Sequence, residues 1–125
     1  MLDHVSIGVR DIATARTFYD AALGALGYGC LSPGADAVGY GRETAAFWVC
    51  AVPRAVPADP DSGLHFGFVA PSRAAVDAFH AAALASGGGD NGPPGLRPEY
   101  GPNYYAAFVT DPEGYRLEAY CGLPA

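Results

Sequence analysis

The sequence predicts an α+β fold in which two tandem modules, each ordered strand, helix, strand, strand, strand, form a curved mixed sheet around a cleft. Three observations support this prediction. The chain has 125 residues, half of them hydrophobic, which is enough for one core without disulfide or metal support. Residues Asp3–Val9 resemble Leu64–Ala70 at an offset of 61. An amphipathic helical pattern follows each of these two segments.

The two predicted helices carry start and stop signals. The first runs from about Ile12 to Leu26 and the second from about Arg73 to Ser86, each with apolar residues at helical spacing. Asp11 and Ser72 stand at matching repeat positions, and both are good N-cap residues. Gly27 follows the first helix, and glycine is the residue that most readily ends a helix. The repeat therefore extends from the strands into the helices.

Turn residues separate the remaining predicted strands and divide the domain. Residues 53–62 contain three prolines and link a first module, 1–52, to a second module, 63–125, within a single domain, 1–125. The glycine- and proline-rich segment 87–103 is long for a connection, and we expect a loop that closes over the cleft or stays solvated. The other strands are predicted at 27–30, 37–40, 45–52, 104–110 and 115–121.

Charge and composition exclude several classes of function. The chain has 13 acidic and 7 basic residues, a net charge of −6, and all of its basic residues are arginine. Without lysine there is no Schiff-base chemistry on a side-chain amine, and an acidic chain is a poor partner for nucleic acids or anionic membranes. Three cysteines without metal-finger spacing indicate reduced thiols, and the sequence contains no recognisable secretory or membrane-spanning segment. We therefore expect a soluble cytoplasmic protein.

Three potential metal ligands lie on strands of the two modules. Alternation places His4, His65 and Glu118 on the strand faces opposite the apolar residues that would seat the helices. Two imidazoles and one carboxylate bind a divalent ion and leave positions open for substrate oxygens, which the ion polarises. The ligand set does not distinguish Zn, Ni, Mn or Fe. The alternative is that the histidines are ordinary hydrogen-bonded residues and that Glu118 is a surface carboxylate near Arg116.

A substrate cleft is predicted above these ligands. The small residues Ser6, Gly8 and Gly67 share the strand faces of the two histidines and leave room for a ligand. Aromatic and arginine side chains in and beside segment 87–103 would close over a small anionic or aromatic molecule. The predicted cleft residues are Trp48, Cys50, Arg97, Tyr100, Tyr104, Phe108 and Tyr120. The alternative is that the rings belong to the core and that the loop is only solvated.

These motifs resemble the vicinal oxygen chelate superfamily, which includes glyoxalase I, extradiol dioxygenases, fosfomycin-resistance thiol transferases, methylmalonyl-CoA epimerases and metal-free bleomycin-binding proteins. The resemblance covers nearly the whole chain. It rests on Asp3–Asp11, Phe18–Tyr19, Leu23–Gly24, Leu26–Tyr28, the strand containing His65, and Asp111–Glu118. In relatives with this pattern, the residues matching His4, His65 and Glu118 bind the metal, and paired modules form the cup, often across a dimer. The resemblance therefore implies a homodimer and a small-molecule substrate.

No subgroup of this superfamily matches completely. Glyoxalase I adds a Glu or Gln ligand at the end of the first module, where this chain offers only Trp48 or Cys50. Extradiol dioxygenases require a tyrosine where Phe108 stands and a histidine shortly upstream, which is missing. The thiol transferases share the ligand triad, and Ser6 could replace their hydroxyl residue, but they bind phosphonate with a lysine. The resemblance therefore disfavours the last two activities.

We expect a metal-dependent enzyme of the glyoxalase type, with lyase, isomerase or addition chemistry. Glu118 and Ser6 are its catalytic candidates, and a divalent metal would polarise neighbouring oxygens of the substrate. The alternative is a metal-free protein, similar to the bleomycin-binding relatives, that holds a planar small molecule in the same cleft. A thiol transferase or an extradiol dioxygenase is less expected.

Overall fold

Two βαβββ modules follow one another along the chain in the computed structural model, which describes residues 1–125. The elements are β1 (Val5–Val9), α1 (Ile12–Gly24), β2 (Gly29–Pro33), β3 (Ala37–Gly41), β4 (Ala45–Ala51), β5 (Phe66–Val69), α2 (Arg73–Ala85), β6 (Gly89–Leu96), β7 (Tyr105–Thr110) and β8 (Arg116–Cys121). This order confirms the predicted α+β class and its two tandem modules.

Both helices begin where the sequence predicts and end slightly earlier. The Asp11 side chain accepts a hydrogen bond from the backbone N–H of Thr14 at 3.1 Å, and the Ser72 hydroxyl accepts one from Ala75 at 3.0 Å. These side chains satisfy N–H groups that have no partner within the helix. Gly27, with φ of +88°, turns the chain after α1. Each helix has 13 residues, too few to span a lipid bilayer.

The eight strands form two four-stranded mixed sheets. The first sheet has the strand order β1-β4-β3-β2 and the second has the order β5-β8-β7-β6. In each sheet the first strand of the module runs parallel to its last strand, and the other pairs are antiparallel. No strand pair joins the two sheets, so the predicted curved sheet is divided into two separate sheets within one chain. β1 and β5 each lie at a sheet edge, with one side free of strand partners.

The two modules share one hydrophobic core. α1 packs against α2, and each helix packs on the sheet of its own module. Phe47 of the first sheet lies edge-on to Phe66 and Phe68 of β5, with ring centroids 5.9 and 5.1 Å apart. Phe18 and Phe79, at matching positions of the repeat, are fully buried. The face of each sheet that is turned away from the helices is called its outer face below.

Segment 87–103 is not one long loop, because it contains β6. This strand pairs antiparallel with β7 and carries two register shifts, between Asp90 and Gly92 and between Gly92 and Gly95. As an edge strand, β6 needs hydrogen bonds on one side only, so Pro93 and Pro94 are tolerated. The remaining connection, residues 97–104, is a compact turn that holds several of the predicted cleft residues.

The turn between β7 and β8 docks onto the first module. Asp111 is buried and accepts hydrogen bonds from the Tyr19 hydroxyl at 2.5 Å and from the backbone N–H of Tyr115 at 2.8 Å. Glu113 accepts hydrogen bonds from the backbone N–H of Arg10 at 2.9 Å and from its guanidinium at 3.3 Å. Burial raises the pKa of Asp111, and the hydrogen bonds that it accepts oppose that rise. This turn is therefore also a contact between modules.

Candidate active site

His65 and Glu118 meet on the outer face of the second sheet. His65 directly precedes β5, and Glu118 lies on β8 opposite Gly67 in the strand register. The Nε2 atom of His65 is 3.0 Å from Oε1 of Glu118. The Glu118 side chain is 6% exposed, whereas that of His65 is 48% exposed. The pair therefore combines a buried carboxylate with an imidazole that solvent can reach.

Tyr104 forms a hydrogen bond with the other oxygen of the same carboxylate. Its hydroxyl donates a short hydrogen bond to Oε2 of Glu118. Burial, followed by this hydrogen bond and the carboxylate charge, raises the pKa of Tyr104 far above its ordinary value, so the phenol stays protonated at neutral pH. The sequence places Tyr104 in the cleft, but the hydrogen bond to Glu118 depends on the path of the turn before β7 and carries no sequence signal.

Five predicted cleft residues lie in two contacting groups, one that reaches Glu118 through Tyr104 and one that reaches it through Phe108. The ring of Tyr104 stacks on that of Tyr120 with centroids 4.2 Å apart, and Tyr100 lies 5.3 Å from Tyr104. Across the sheet, Phe108 stands opposite Glu118 in the register of β7 and β8. The Arg97 guanidinium lies over the Phe108 ring at 5.4 Å. These five residues are Arg97, Tyr100, Tyr104, Phe108 and Tyr120.

The other predicted site residues lie on the first sheet. Ser6 stands opposite Trp48 in the register of β1 and β4, and Gly8 stands opposite Cys50. The Trp48 ring covers Gly39 of β3, where a Cβ atom would come within 2.9 Å of the ring. Both Trp48 and Cys50 are partly buried, and neither is brought to Glu118 in a ligand cluster. The predicted cleft is therefore split between the outer faces of two sheets.

His4 is also separate from the His65–Glu118 pair. It precedes β1, and its Nδ1 atom lies 2.7 Å from the Asp3 carboxylate. No three His, Cys, Asp or Glu side chains of the chain come together as a metal site. His65 and Glu118 supply one imidazole nitrogen and one carboxylate oxygen, donors that ions such as Zn²⁺ accept. The residues present fit a metal only if another donor joins these two.

A cavity that the sequence does not predict lies between the modules. Its volume is about 610 Å³ and its lining is mostly apolar. It is bordered by Tyr28 and Tyr40 of the first module and by Phe66 and Phe68 of β5, and it reaches His65. Phe47, which also borders the cavity, contacts Phe66 and Phe68 across the two modules. Such contacts follow from tertiary packing and not from a local motif.

Nearly the whole chain matches the model of one known protein family. The family model described as Glyoxalase/Bleomycin resistance protein/Dioxygenase superfamily matches residues 1–119. The chain belongs to this superfamily. A comparison with curated proteins gave no match.

Solved structures agree with membership of the Glyoxalase/Bleomycin resistance protein/Dioxygenase superfamily. A glyoxalase/bleomycin resistance protein from Albidiferax ferrireducens T118 is 33% identical, with a TM-score of 0.82 over 96% of this chain and 97% of that chain. A putative glyoxalase from Bacillus halodurans is 26% identical, with a TM-score of 0.65 over 96% and 94% of the two chains. A glyoxalase-related enzyme from Fulvimarina pelagi, 18% identical, shares the fold with a TM-score of 0.73 over 96% and 86%.

Proposed function

We propose that the protein is a divalent-metal-dependent enzyme whose site is completed between two copies of the chain. His65 and Glu118 of one copy would bind the ion together with His4 of the second copy. The observation that carries this proposal is the 3.0 Å contact between Oε1 of the buried Glu118 and Nε2 of His65, whose imidazole solvent can reach. A buried carboxylate beside an imidazole supplies two of the three ligands of the 2-His-1-carboxylate set, which leaves coordination positions open.

The free edges of β1 and β5 support a shared site. Each edge strand has backbone N–H and C=O groups without a strand partner, and pairing between chains satisfies such groups. If β1 of one copy lies beside β5 of the other, His4 approaches the His65–Glu118 pair across the new boundary. A twofold axis repeats this arrangement, so a homodimer would contain two equivalent sites.

The chemistry that we propose is isomerisation, elimination or addition on a small substrate with two neighbouring oxygens. The bound ion would polarise those oxygens. Arg97 has further N–H groups besides the one that donates to the Pro93 carbonyl at 2.7 Å, and these would bind an anionic group of the substrate. Phe108 and Tyr120 would border its flat part, and the exposed Ser6 hydroxyl of the second copy would donate to a substrate oxygen.

Metal binding tests the ligand set directly. Protein stripped with EDTA is reloaded with Zn²⁺, Ni²⁺, Mn²⁺ or Fe²⁺ in turn, and bound metal is measured by elemental analysis. We expect close to one ion per chain for the wild type and strong loss in His4→Ala, His65→Ala and Glu118→Ala. His80→Ala is the matched control, because His80 pairs with Asp90 at 2.9 Å and belongs to α2. Equal uptake by wild type and Glu118→Ala would contradict the proposal.

A mixing experiment tests whether the site is shared. His4→Ala and Glu118→Ala chains, unfolded together and refolded, form mixed dimers that contain one intact site and one site with both changes. Mixed dimers make up about half of a statistical mixture, so metal uptake should recover to about a quarter of the wild-type level. A site contained within one chain predicts no recovery, because every chain then carries a defect.

A metal-free binding protein is the second candidate, and the 610 Å³ apolar cavity favours it. Such a cavity accepts a planar or aromatic molecule without an ion. Fluorescence of 1-anilinonaphthalene-8-sulfonate reports this function: binding that persists in EDTA and in a His4→Ala, His65→Ala double variant supports it. For either function we propose a cytoplasmic location, since Cys30, Cys50 and Cys121 are all free thiols.

A further inference from the structure

We infer that Tyr104 is a positioning residue that holds Oε2 of Glu118 and leaves Oε1 as the single carboxylate oxygen available to the metal. This inference rests on the proposed function, since it concerns how Glu118 serves as a ligand. Tyr104 itself would not touch the ion, because its hydroxyl is bonded to the oxygen on the other side of the carboxylate.

The two oxygens of Glu118 have different partners from different parts of the chain. Oε1 faces His65 Nε2 at 3.0 Å, and Oε2 accepts the Tyr104 hydroxyl. With one partner on each oxygen, the carboxylate plane is fixed relative to β8. Rotation that turned both oxygens toward one ion would break the hydrogen bond to Tyr104 within a buried environment, where an unpaired polar group is costly.

Tyr104 is itself held on two sides. Its backbone carbonyl accepts a hydrogen bond from the N–H of Arg97 at 2.7 Å, and its own N–H donates to the carbonyl of Gly101 at 3.3 Å. Its ring stacks on Tyr120 at 4.2 Å with an angle of 32° between the planes. The backbone of the turn and the stacked ring therefore set the position of the phenol hydroxyl, which can orient the carboxylate without being oriented by it.

A carboxylate held in this way would offer one oxygen to a metal. Single-oxygen coordination suits the tetrahedral or open sites of Zn²⁺-like ions, whereas Ca²⁺ commonly takes both oxygens of a carboxylate and more ligands overall. Hydrogen-bond partners of metal ligands contribute strongly to metal affinity, and their removal typically weakens binding about 10- to 100-fold. We expect a loss of that size when the Tyr104 hydroxyl is removed.

The test compares Tyr104→Phe with Tyr100→Phe. Tyr104→Phe keeps the ring stacked on Tyr120 and removes only the hydroxyl, while Tyr100 lies in the same turn and its hydroxyl makes no hydrogen bond. Isothermal titration of the apoprotein with Zn²⁺ should show binding about 10- to 100-fold weaker in Tyr104→Phe and unchanged in Tyr100→Phe. Equal affinity of Tyr104→Phe and wild type would overturn the inference.

Infrared difference spectra give a readout that a merely structural role would not change. The separation of the asymmetric and symmetric carboxylate stretches is wider for single-oxygen than for two-oxygen coordination. The metal-loaded minus metal-free spectrum should show the wide separation in wild type and a narrower one in Tyr104→Phe. A narrow separation in wild type would overturn the inference even if the variant failed to fold. If His65→Ala binds Zn²⁺ as well as wild type, the proposed function fails, whatever Tyr104→Phe does.

Discussion

The Tyr115 hydroxyl donates a hydrogen bond of 2.7 Å to the backbone carbonyl of Gly8, which ties the second module to the first strand of the first module. Tyr28 makes the reciprocal bond, also of 2.7 Å, to the carbonyl of Val69 on β5. Gly8 and Val69 are 61 residues apart (69 − 8), which is the offset of the sequence repeat. Each module therefore holds the first strand of the other at the same repeat position.

Removing these hydroxyls should destabilise the chain to different extents. Tyr115 is buried, and its bond to Gly8 is partly shielded from water, so Tyr115→Phe should lower the free energy of unfolding by about 1 kcal/mol. The bond of Tyr28 is exposed, and water can replace it, so Tyr28→Phe should cost roughly half as much or less. Urea denaturation measures both. A larger loss in Tyr28→Phe would show that exposure does not decide the difference.

Asp111 should make stability depend on pH. Because burial raises the pKa of Asp111, the folded chain binds a proton at pH values where the unfolded chain has released it. The contribution of Asp111 is then greatest below about pH 4, the range of an unperturbed aspartate, and decreases as pH rises through the elevated folded pKa. The Asp111→Asn variant carries no ionisable group at this position, so its stability should not show this decrease with pH. Urea unfolding is measured for both proteins from pH 4 to 7. The free energy of unfolding of the wild type should fall relative to that of Asp111→Asn as pH rises, and a constant difference between the two would refute this.

Substitution of alanine at two glycines should change stability in opposite directions. Gly24 ends α1, and a Cβ atom added there would meet no other atom within 4 Å, so Gly24→Ala should stabilise the chain by about 0.4–1 kcal/mol through the unfolded state. At Gly88 a Cβ atom would lie 2.6 Å from the Phe18 ring and 2.8 Å from the carbonyl oxygens of Ala83 and Thr110. Backbone oxygens cannot move aside easily, so Gly88→Ala should cost about 1–3 kcal/mol. In thermal unfolding, the melting temperature should rise in Gly24→Ala and fall in Gly88→Ala, and a shift of both in the same direction would contradict this prediction.

Val69 provides a test of the proposed dimer. Its side chain is 64% exposed on β5, the edge strand that we propose to pair with β1 of a second copy. Val69→Arg would bury an unpaired charge in that interface. We therefore expect the dissociation constant of the dimer to increase about 100-fold or more. Val56→Arg is the control, since Val56 is 71% exposed in the linker. Sedimentation that gives the same mass for both variants would argue against β5 as the interface.

Local sequence signals were sufficient to predict most of the fold. The N-cap residues Asp11 and Ser72 fixed both helix starts, and the 61-residue offset identified the second module from the first. The repeated module order requires a strand between α2 and β7, but the sequence gives no residue range for β6, because glycine and proline disfavour strands in general. That preference is weak at a sheet edge, where one side of the strand makes no ladder hydrogen bonds. The division into two sheets is a matter of long-range strand pairing, which no local motif reports.

The candidate site was partly predictable for the same reason. Alternation along β5 and β8 placed His65 and Glu118 on one face, and the parallel pairing of these strands brings them within hydrogen-bond distance. The same rule placed His4 on the outer side of β1, but it could not specify that β1 and β5 lie in different sheets. The contact of Tyr104 with Glu118 arises from a turn whose course the sequence does not encode in a short pattern.

The linker, residues 53–62, is exposed along nearly all of its length, whereas the contacts between modules lie in the common core and in the tyrosine and aspartate hydrogen bonds. The covalent connection thus raises the effective concentration of one half near the other but does not determine how they dock. Proteolytic cleavage within the linker would therefore leave two complementary fragments that remain associated as a noncovalent complex. New chain termini could be introduced there by circular permutation with little disturbance of either half.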